Sequence, residues 1–171
     1  MLARLKSVLP VMAVAASCLA LCAAPANAVT YPTDSQTFTI HPREESGLCA
    51  EAEGRSNSGT RFVYLVPRPC TSRTPAQQFS FDPQTGHMRN AGRPGECVVQ
   101  VLAGYAVGLG MGPCGSGTKF LPTPEDRHIQ MESDFGRGRP KACASFSREG
   151  VPMKTQECNN YGSLEFAVEP V

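Results

Sequence analysis

Val63-Tyr64-Leu65-Val66-Pro67-Arg68-Pro69-Cys70 returns as Val107-Gly108-Leu109-Gly110-Met111-Gly112-Pro113-Cys114, and again as Val151-Pro152-Met153-Lys154-Thr155-Gln156-Glu157-Cys158. The two steps are 44 residues each, and the three stretches align without a gap. Val stands seven before the Cys in every copy. Leu65, Leu109 and Met153 stand five before it. Apolar residues two apart have the period of a strand, so each copy reads as a strand running into its Cys. A second set, Cys49, Cys97 and Cys143, recurs after 48 and then 46 residues. A period of about 45 residues is the signature of a repeat architecture.

Other segments fall into the same register. Phe79-Ser80-Phe81, Phe120-Leu121 and Phe166-Ala167-Val168 follow the second Cys of each unit, and His87-Met88-Arg89 matches His128-Ile129-Gln130. Ile40 and Met88 each stand nine before a first Cys. The links Asp82-Pro83-Gln84-Thr85-Gly86, Arg93-Pro94-Gly95 and Pro122-Thr123-Pro124 carry turn chemistry. No window holds a sustained helical period with caps. The chain therefore reads as all-β, about four short strands in each of three units, which predicts a β-trefoil. The units span about 38–86, 87–127 and 128–171, preceded by an arm over 29–37.

Composition agrees. With 171 residues, 41% apolar and 18% charged, the chain holds one core. Its 16 Gly and 15 Pro disfavour a helical bundle, and the apolar content disfavours disorder. A formal charge of +1 supplies no basic surplus for neutralising phosphates, so no nucleic-acid partner is expected. At the start, Arg4 and Lys6 precede an apolar stretch from Ser7 to Ala24 and then Ala26-Asn27-Ala28. This pattern predicts a signal peptide over 1–28, cut near Ala28-Val29, and a secreted product. A lipoprotein attached at Cys18 is the alternative. No other segment is long and apolar enough to span a bilayer as a helix. Removing the leader leaves Cys49, Cys70, Cys97, Cys114, Cys143 and Cys158. No pair has zinc-ligand spacing, so disulfides are expected and no metal; six Cys allow fifteen connectivities.

Gly47-Leu48-Cys49-Ala50-Glu51-Ala52, Pro69-Cys70, Gln77-Gln78-Phe79, Gly86-His87-Met88-Arg89 and Gly95-Glu96-Cys97 resemble the repeat of ricin B-type lectins. The resemblance covers about Phe38 to Val171. It implies one disulfide within each repeat: Cys49–Cys70, Cys97–Cys114 and Cys143–Cys158. It departs from the family where a Q-x-W motif is usual. Those positions read Gln77-Gln78-Phe79, Thr118-Lys119-Phe120 and Leu164-Glu165-Phe166, and the chain holds no Trp.

Sugar recognition needs a carboxylate or amide for vicinal hydroxyls and a flat face for the apolar side of the ring. The resemblance places the acid two after the first Cys and the aromatic two before the second. In the first repeat these are Glu51 and Arg68, with Gln77 kept and Ala76 before it. The second repeat has Val99, Gly112 and Gly117; the third has Ser145, Gln156 and Ser163. Glu51, Gln77 and Arg68 are thus the carbohydrate-binding candidates, with Gln77 weighted toward tying backbone together. No catalytic set assembles: His87 and His128 read as exposed turn residues far apart, Ser lacks a nucleophile elbow, and Glu44-Glu45 and Glu125-Asp126 read as loop charges. No cofactor is implied. The resemblance implies a non-catalytic lectin-like module binding a glycan or glycoprotein. The alternative is a protein-interaction or cell-docking subunit with degenerate sugar sites, similar to the accessory subunits of cytolethal distending toxins. For a co-exported protein subunit the candidate surface is Val107–Gly112, where alternate glycines admit another backbone. Arg137-Gly138-Arg139-Pro140-Lys141 is the one basic cluster.

Overall fold

A computed structural model describes residues 31–32, 36–43, 47–57, 60–71, 73–103, 106–121, 128–134, 141–158 and 166–171. The expected leader, Cys18, Glu44-Glu45, Glu125-Asp126, Arg137–Pro140 and Ser163 lie outside them. Twelve strands are found among the described residues, four to each repeat. The first repeat holds β1 (Phe38–Pro42), β2 (Leu48–Asn57), β3 (Thr60–Pro69) and β4 (Phe79–Asp82). The second holds β5 (His87–Asn90), β6 (Glu96–Ala103), β7 (Ala106–Pro113) and β8 (Phe120–Leu121). The third holds β9 (Gln130–Asp134), β10 (Lys141–Ser145), β11 (Lys154–Glu157) and β12 (Phe166–Pro170).

Local chemistry sets the turns. The Asp82 carboxylate accepts from the Gln84 and Thr85 amides at 3.0 and 3.3 Å, and the Gly86 amide closes the turn onto the Asp82 carbonyl at 2.8 Å. Gly86 takes a φ of +73°, which a side chain would resist. The turn joins β4 to β5 in register, from Phe79 opposite Asn90 to Asp82 opposite His87.

Two layers result. β12, β1, β4, β5, β8 and β9 join edge to edge through β12–β1, β1–β4, β4–β5, the His87–Lys119 bridge and β8–β9. The hairpins β2–β3, β6–β7 and β10–β11 meet at one end. There the column five before each second Cys becomes a three-fold junction. The Leu109 amide donates to the Met153 carbonyl at 3.1 Å and the Met153 amide to the Leu65 carbonyl at 2.8 Å. Tyr64 of β3 pairs with Gly110 of β7, completing the ring. All three column side chains are buried.

The core below this junction is filled by Phe38, Ile40, Phe81, Met88, Ile129 and Met131. Phe79, Phe120 and Phe166, one per repeat where Trp is usual, are also buried. Tyr31, expected in an arm, packs into the same core, its ring centroid 4.6 Å from that of Phe81. Its hydroxyl is buried without a partner among the described residues, and burial pushes its pKa well above the ordinary phenol value.

The three disulfides are Cys49–Cys70, Cys97–Cys114 and Cys143–Cys158, as the resemblance implies. They close short loops of 21, 17 and 15 residues of separation; the loop-entropy model gives roughly 3 kcal/mol for each.

The glycines of β7 differ from the expectation of an open docking strand. A Cβ on Gly110 would stand 2.2 Å from the Val63 carbonyl oxygen and 3.0 Å from Val101. Another backbone does approach this strand, but it belongs to the same chain: β3 at Gly110 and β11 at Gly108. The centre of the surface expected to meet a second subunit is taken up in joining the repeats.

Candidate functional site

The long β2–β3 hairpin carries the first-repeat residues. Strand alternation puts Glu51, Glu53 and Arg55 on one face of β2. Antiparallel register sets Glu51 opposite Val66, Glu53 opposite Tyr64 and Cys49 opposite Arg68, so Arg68 joins that face. Ala50, Ala52 and Leu65 occupy the other face and are buried.

Gln77 reaches this face from the turn Pro75–Gln77. Its amide nitrogen donates to Glu51 Oε2 at 2.8 Å and to the Pro69 carbonyl at 2.9 Å. Its amide oxygen accepts from the Thr71 amide at 2.8 Å and the Thr71 hydroxyl at 3.3 Å. The group is almost completely buried and its four hydrogen-bonding positions are filled. Gln77 therefore has no capacity left for a ligand in this arrangement. It holds the Glu51 carboxylate by one oxygen. Glu51 is half-buried, and Oε1 makes no hydrogen bond among the described residues.

Arg68 is fixed differently. Its Nε donates to Glu53 Oε2 at 2.7 Å, and Nη2 stands 2.5 Å from the same oxygen. Arg55 Nε donates to Glu53 Oε1 at 2.8 Å, and its Nη2 donates to the Gly150 carbonyl at 2.6 Å. Glu53 thus clamps two guanidinium groups, and the loop between β10 and β11 borders the site. Partial burial works to raise the Glu53 pKa, but hydrogen bonds from Arg68 and Arg55 outweigh it and hold the carboxyl below its ordinary value. The Arg68 guanidinium is stabilised in return, first by Glu53 and more weakly by Glu51 and Glu149. Glu53 and Arg55 carry no family motif. A strand-period pair of acid and base on one face of a hairpin was their only sequence signal.

The matching places in the other repeats are unlike this. Val99 is buried, and its Cγ2 lies 3.1 Å from where a Cβ on Gly112 would be. Thr118 takes the place of Gln77 and accepts from the Gln100 amide at 2.9 Å. In the third repeat Ser145 is buried, its hydroxyl 3.4 Å from the Phe146 carbonyl, and Gln156 stands opposite Cys143 as Arg68 does opposite Cys49.

His87 and His128 are not the exposed turn residues expected: His128 is buried, and His87 is half-buried, opening β5 opposite Asp82 and bridged to Lys119. Two open cavities lie elsewhere among the described residues. One of about 510 Å³ is lined by Gln100, Ser116, Gly117, Thr118, Lys119 and Glu132. The other, about 400 Å³, lies beside the Cys49–Cys70 bridge and is lined by His41, Thr71 and the C-terminal strand. Neither is lined by Glu51, Gln77 or Arg68, and neither was foreseen from the sequence.

No family model matches the chain, and no curated protein matches it. Solved structures do. The chain is similar to the β-trefoil lectin of Vibrio vulnificus hemolysin/cytolysin, solved with N-acetyl-D-lactosamine bound, with a TM-score of 0.63 and 14% identity over 81% of this chain and 96% of that one. The fold is a β-trefoil. The Macrolepiota procera ricin B-like lectin in complex with lactose aligns with a TM-score of 0.57 and 10% identity over 82% of this trefoil and 99% of that chain. A non-toxic homologue of type II RIPs from Momordica charantia, in complex with α-methyl-D-galactoside, aligns at 0.54 and 15% identity over 80% of this trefoil and 48% of that chain. At such identities the likeness is one of backbone.

Proposed function

We propose that this trefoil is a non-catalytic carbohydrate-binding module, secreted, that reads a glycan with its first repeat. One observation carries the reading: the Glu51 carboxylate is held through Oε2 by Gln77 while Oε1 is left to accept hydroxyls. A carboxylate fixed in advance loses little freedom on binding, and its hydrogen bonds to hydroxyls are charge-assisted. Gln77 acts as the positioning residue. Arg68, clamped by Glu53, offers a flat, oriented guanidinium where the family has an aromatic ring. The second and third repeats have degenerate sites and add little. Lectin neighbours with lactosamine, lactose or a galactoside bound support a galactose-type ligand.

A glycan array followed by calorimetry tests this. Glu51→Gln should weaken binding by about 10- to 150-fold, the worth of charge-assisted hydrogen bonds. Val99→Ala should leave it unchanged. A blank array with folded protein overturns the reading. The remaining role would be a docking subunit for a co-exported protein. Support for that role has narrowed, since Gly110 is covered by β3.

A further inference from the structure

Gly54 lies on the opposite face of β2 from Glu53 and Arg55, exposed to solvent and opposite Val63. The point where its Cβ would stand is ringed by cationic nitrogen. Arg61 Nε is 3.2 Å from it, Arg61 Nη2 3.3 Å and Arg93 Nη2 3.4 Å. Arg61 reaches it from β3 and Arg93 from the turn between β5 and β6, so two separate segments deliver like charges to one place. Neither arginine makes an ion pair or hydrogen bond from its side chain among the described residues. The nearest acid on the strand, Glu53, points to the other face and is taken by Arg55 and Arg68.

Two guanidinium groups repel unless an anion lies between them. Their N–H forks match oxyanions, and a missing Cβ opens room for one. We propose that Arg61 and Arg93 form, over Gly54, a site for a tetrahedral oxyanion, supplied by a sulfate ester on a saccharide. The saccharide as carrier rests on the carbohydrate reading above; the oxyanion site does not. The site lies on the face of β2 opposite Glu51 and so binds the ester independently of the sugar that Glu51 holds. It would favour sulfated over neutral ligands.

The test uses the exported protein with inorganic sulfate, lactose and lactose monosulfate, read by NMR of the arginine Nε–Hε signals. Inorganic sulfate should shift the signals of Arg61 and Arg93. At Arg61 and Arg93, lactose monosulfate should bind about tenfold tighter than lactose, since each charge-assisted contact is worth that order. Arg61→Gln and Arg93→Gln should each remove most of that gain. Gly54→Ala should do the same by forcing the two guanidinium groups outward. Arg148→Gln, an exposed arginine elsewhere, should leave the gain intact. Glu51→Gln should lose lactose binding while the sulfate-induced shifts at Arg61 and Arg93 remain, which separates this site from the sugar site. Unmoved signals under sulfate, or an equal loss in Arg148→Gln, would overturn the proposal.

Discussion

Repeats one and two place the same backbone around opposite chemistry. Two residues after the first Cys stands half-buried Glu51 in one and buried Val99 in the other. Two before the second Cys, opposite Cys49 and Cys97, stand Arg68 and Gly112. In repeat one the side chains form a charged, hydrogen-bonded surface. In repeat two Val99 leans over Gly112 and seals the place with methyl groups. The hairpins, disulfides and buried Leu65 and Leu109 are alike regardless. The scaffold is thus held by the inward face and the bridges, and the outward face is free to keep or lose a site.

The largest effect should come where the comparison reverses and repeat two is the constrained one. Four before the second Cys stand Val66, Gly110 and Lys154. Only Gly110 must be bare, because the Val63 carbonyl oxygen occupies its Cβ position. Gly110→Ala should cost about 3 kcal/mol or more, as an overpacked contact against backbone that cannot yield. Gly110→Leu should not fold. Thermal unfolding checks both. A Gly110→Leu protein as stable as the parent would mean β3 and β7 do not meet here and would restore β7 as a docking strand.

Next is the contrast between Gln77 and Thr118. Gln77→Ala empties a buried place and removes the hydrogen bonds to the Thr71 amide, the Pro69 carbonyl and Glu51, and should cost about 2–3 kcal/mol. Thr118→Ala removes one hydrogen bond to the Gln100 amide from a half-exposed position and should cost about 1 kcal/mol or less. Denaturant unfolding of the pair measures the difference. Equal costs would show that Gln77 is no more structural than its counterpart.

These contrasts also mark what the sequence could carry. Cys spacing and the Leu65, Leu109 and Met153 column specify three units and their strands because they obey fixed periods. Glu51 and Gln77 were legible for the same reason: they sit at set distances from Cys49 and Phe79. The Glu53 clamp and the meeting of Arg61 with Arg93 depend on which segments a hairpin brings together, and spacing does not encode that. Tyr31 was missed because it lies outside any repeat. Its buried hydroxyl has no partner among the described residues, so Tyr31→Phe should stabilise the fold by about 1 kcal/mol. A loss of stability would show that the hydroxyl finds a partner in solution.

The smallest effect is one of pH, and it separates the repeats again. The position four after the first Cys is Glu53 in repeat one, Val101 in repeat two and Ser147 in repeat three. Only the first can titrate. Its folded pKa lies below the ordinary carboxylate value of about 4.3. A depressed carboxyl contributes stability that is present above the unfolded pKa and lost as pH falls through the folded one. Lowering pH through that depressed pKa should therefore release Arg55 and Arg68 from Glu53 while repeats two and three keep their structure. The pair is partly exposed, so the change in stability should stay under about 1 kcal/mol. Asp82, held down by Thr85 and Gln84, contributes a second acid limb. Carboxyl NMR of wild type, Glu53→Gln and Asp82→Asn would separate the two. In Glu53→Gln the Arg55 and Arg68 side-chain signals should already resemble those of the acidified wild type at neutral pH. If they instead keep their neutral-pH positions, the two arginines are fixed by other groups, and Arg68 needs no acid to hold its plane.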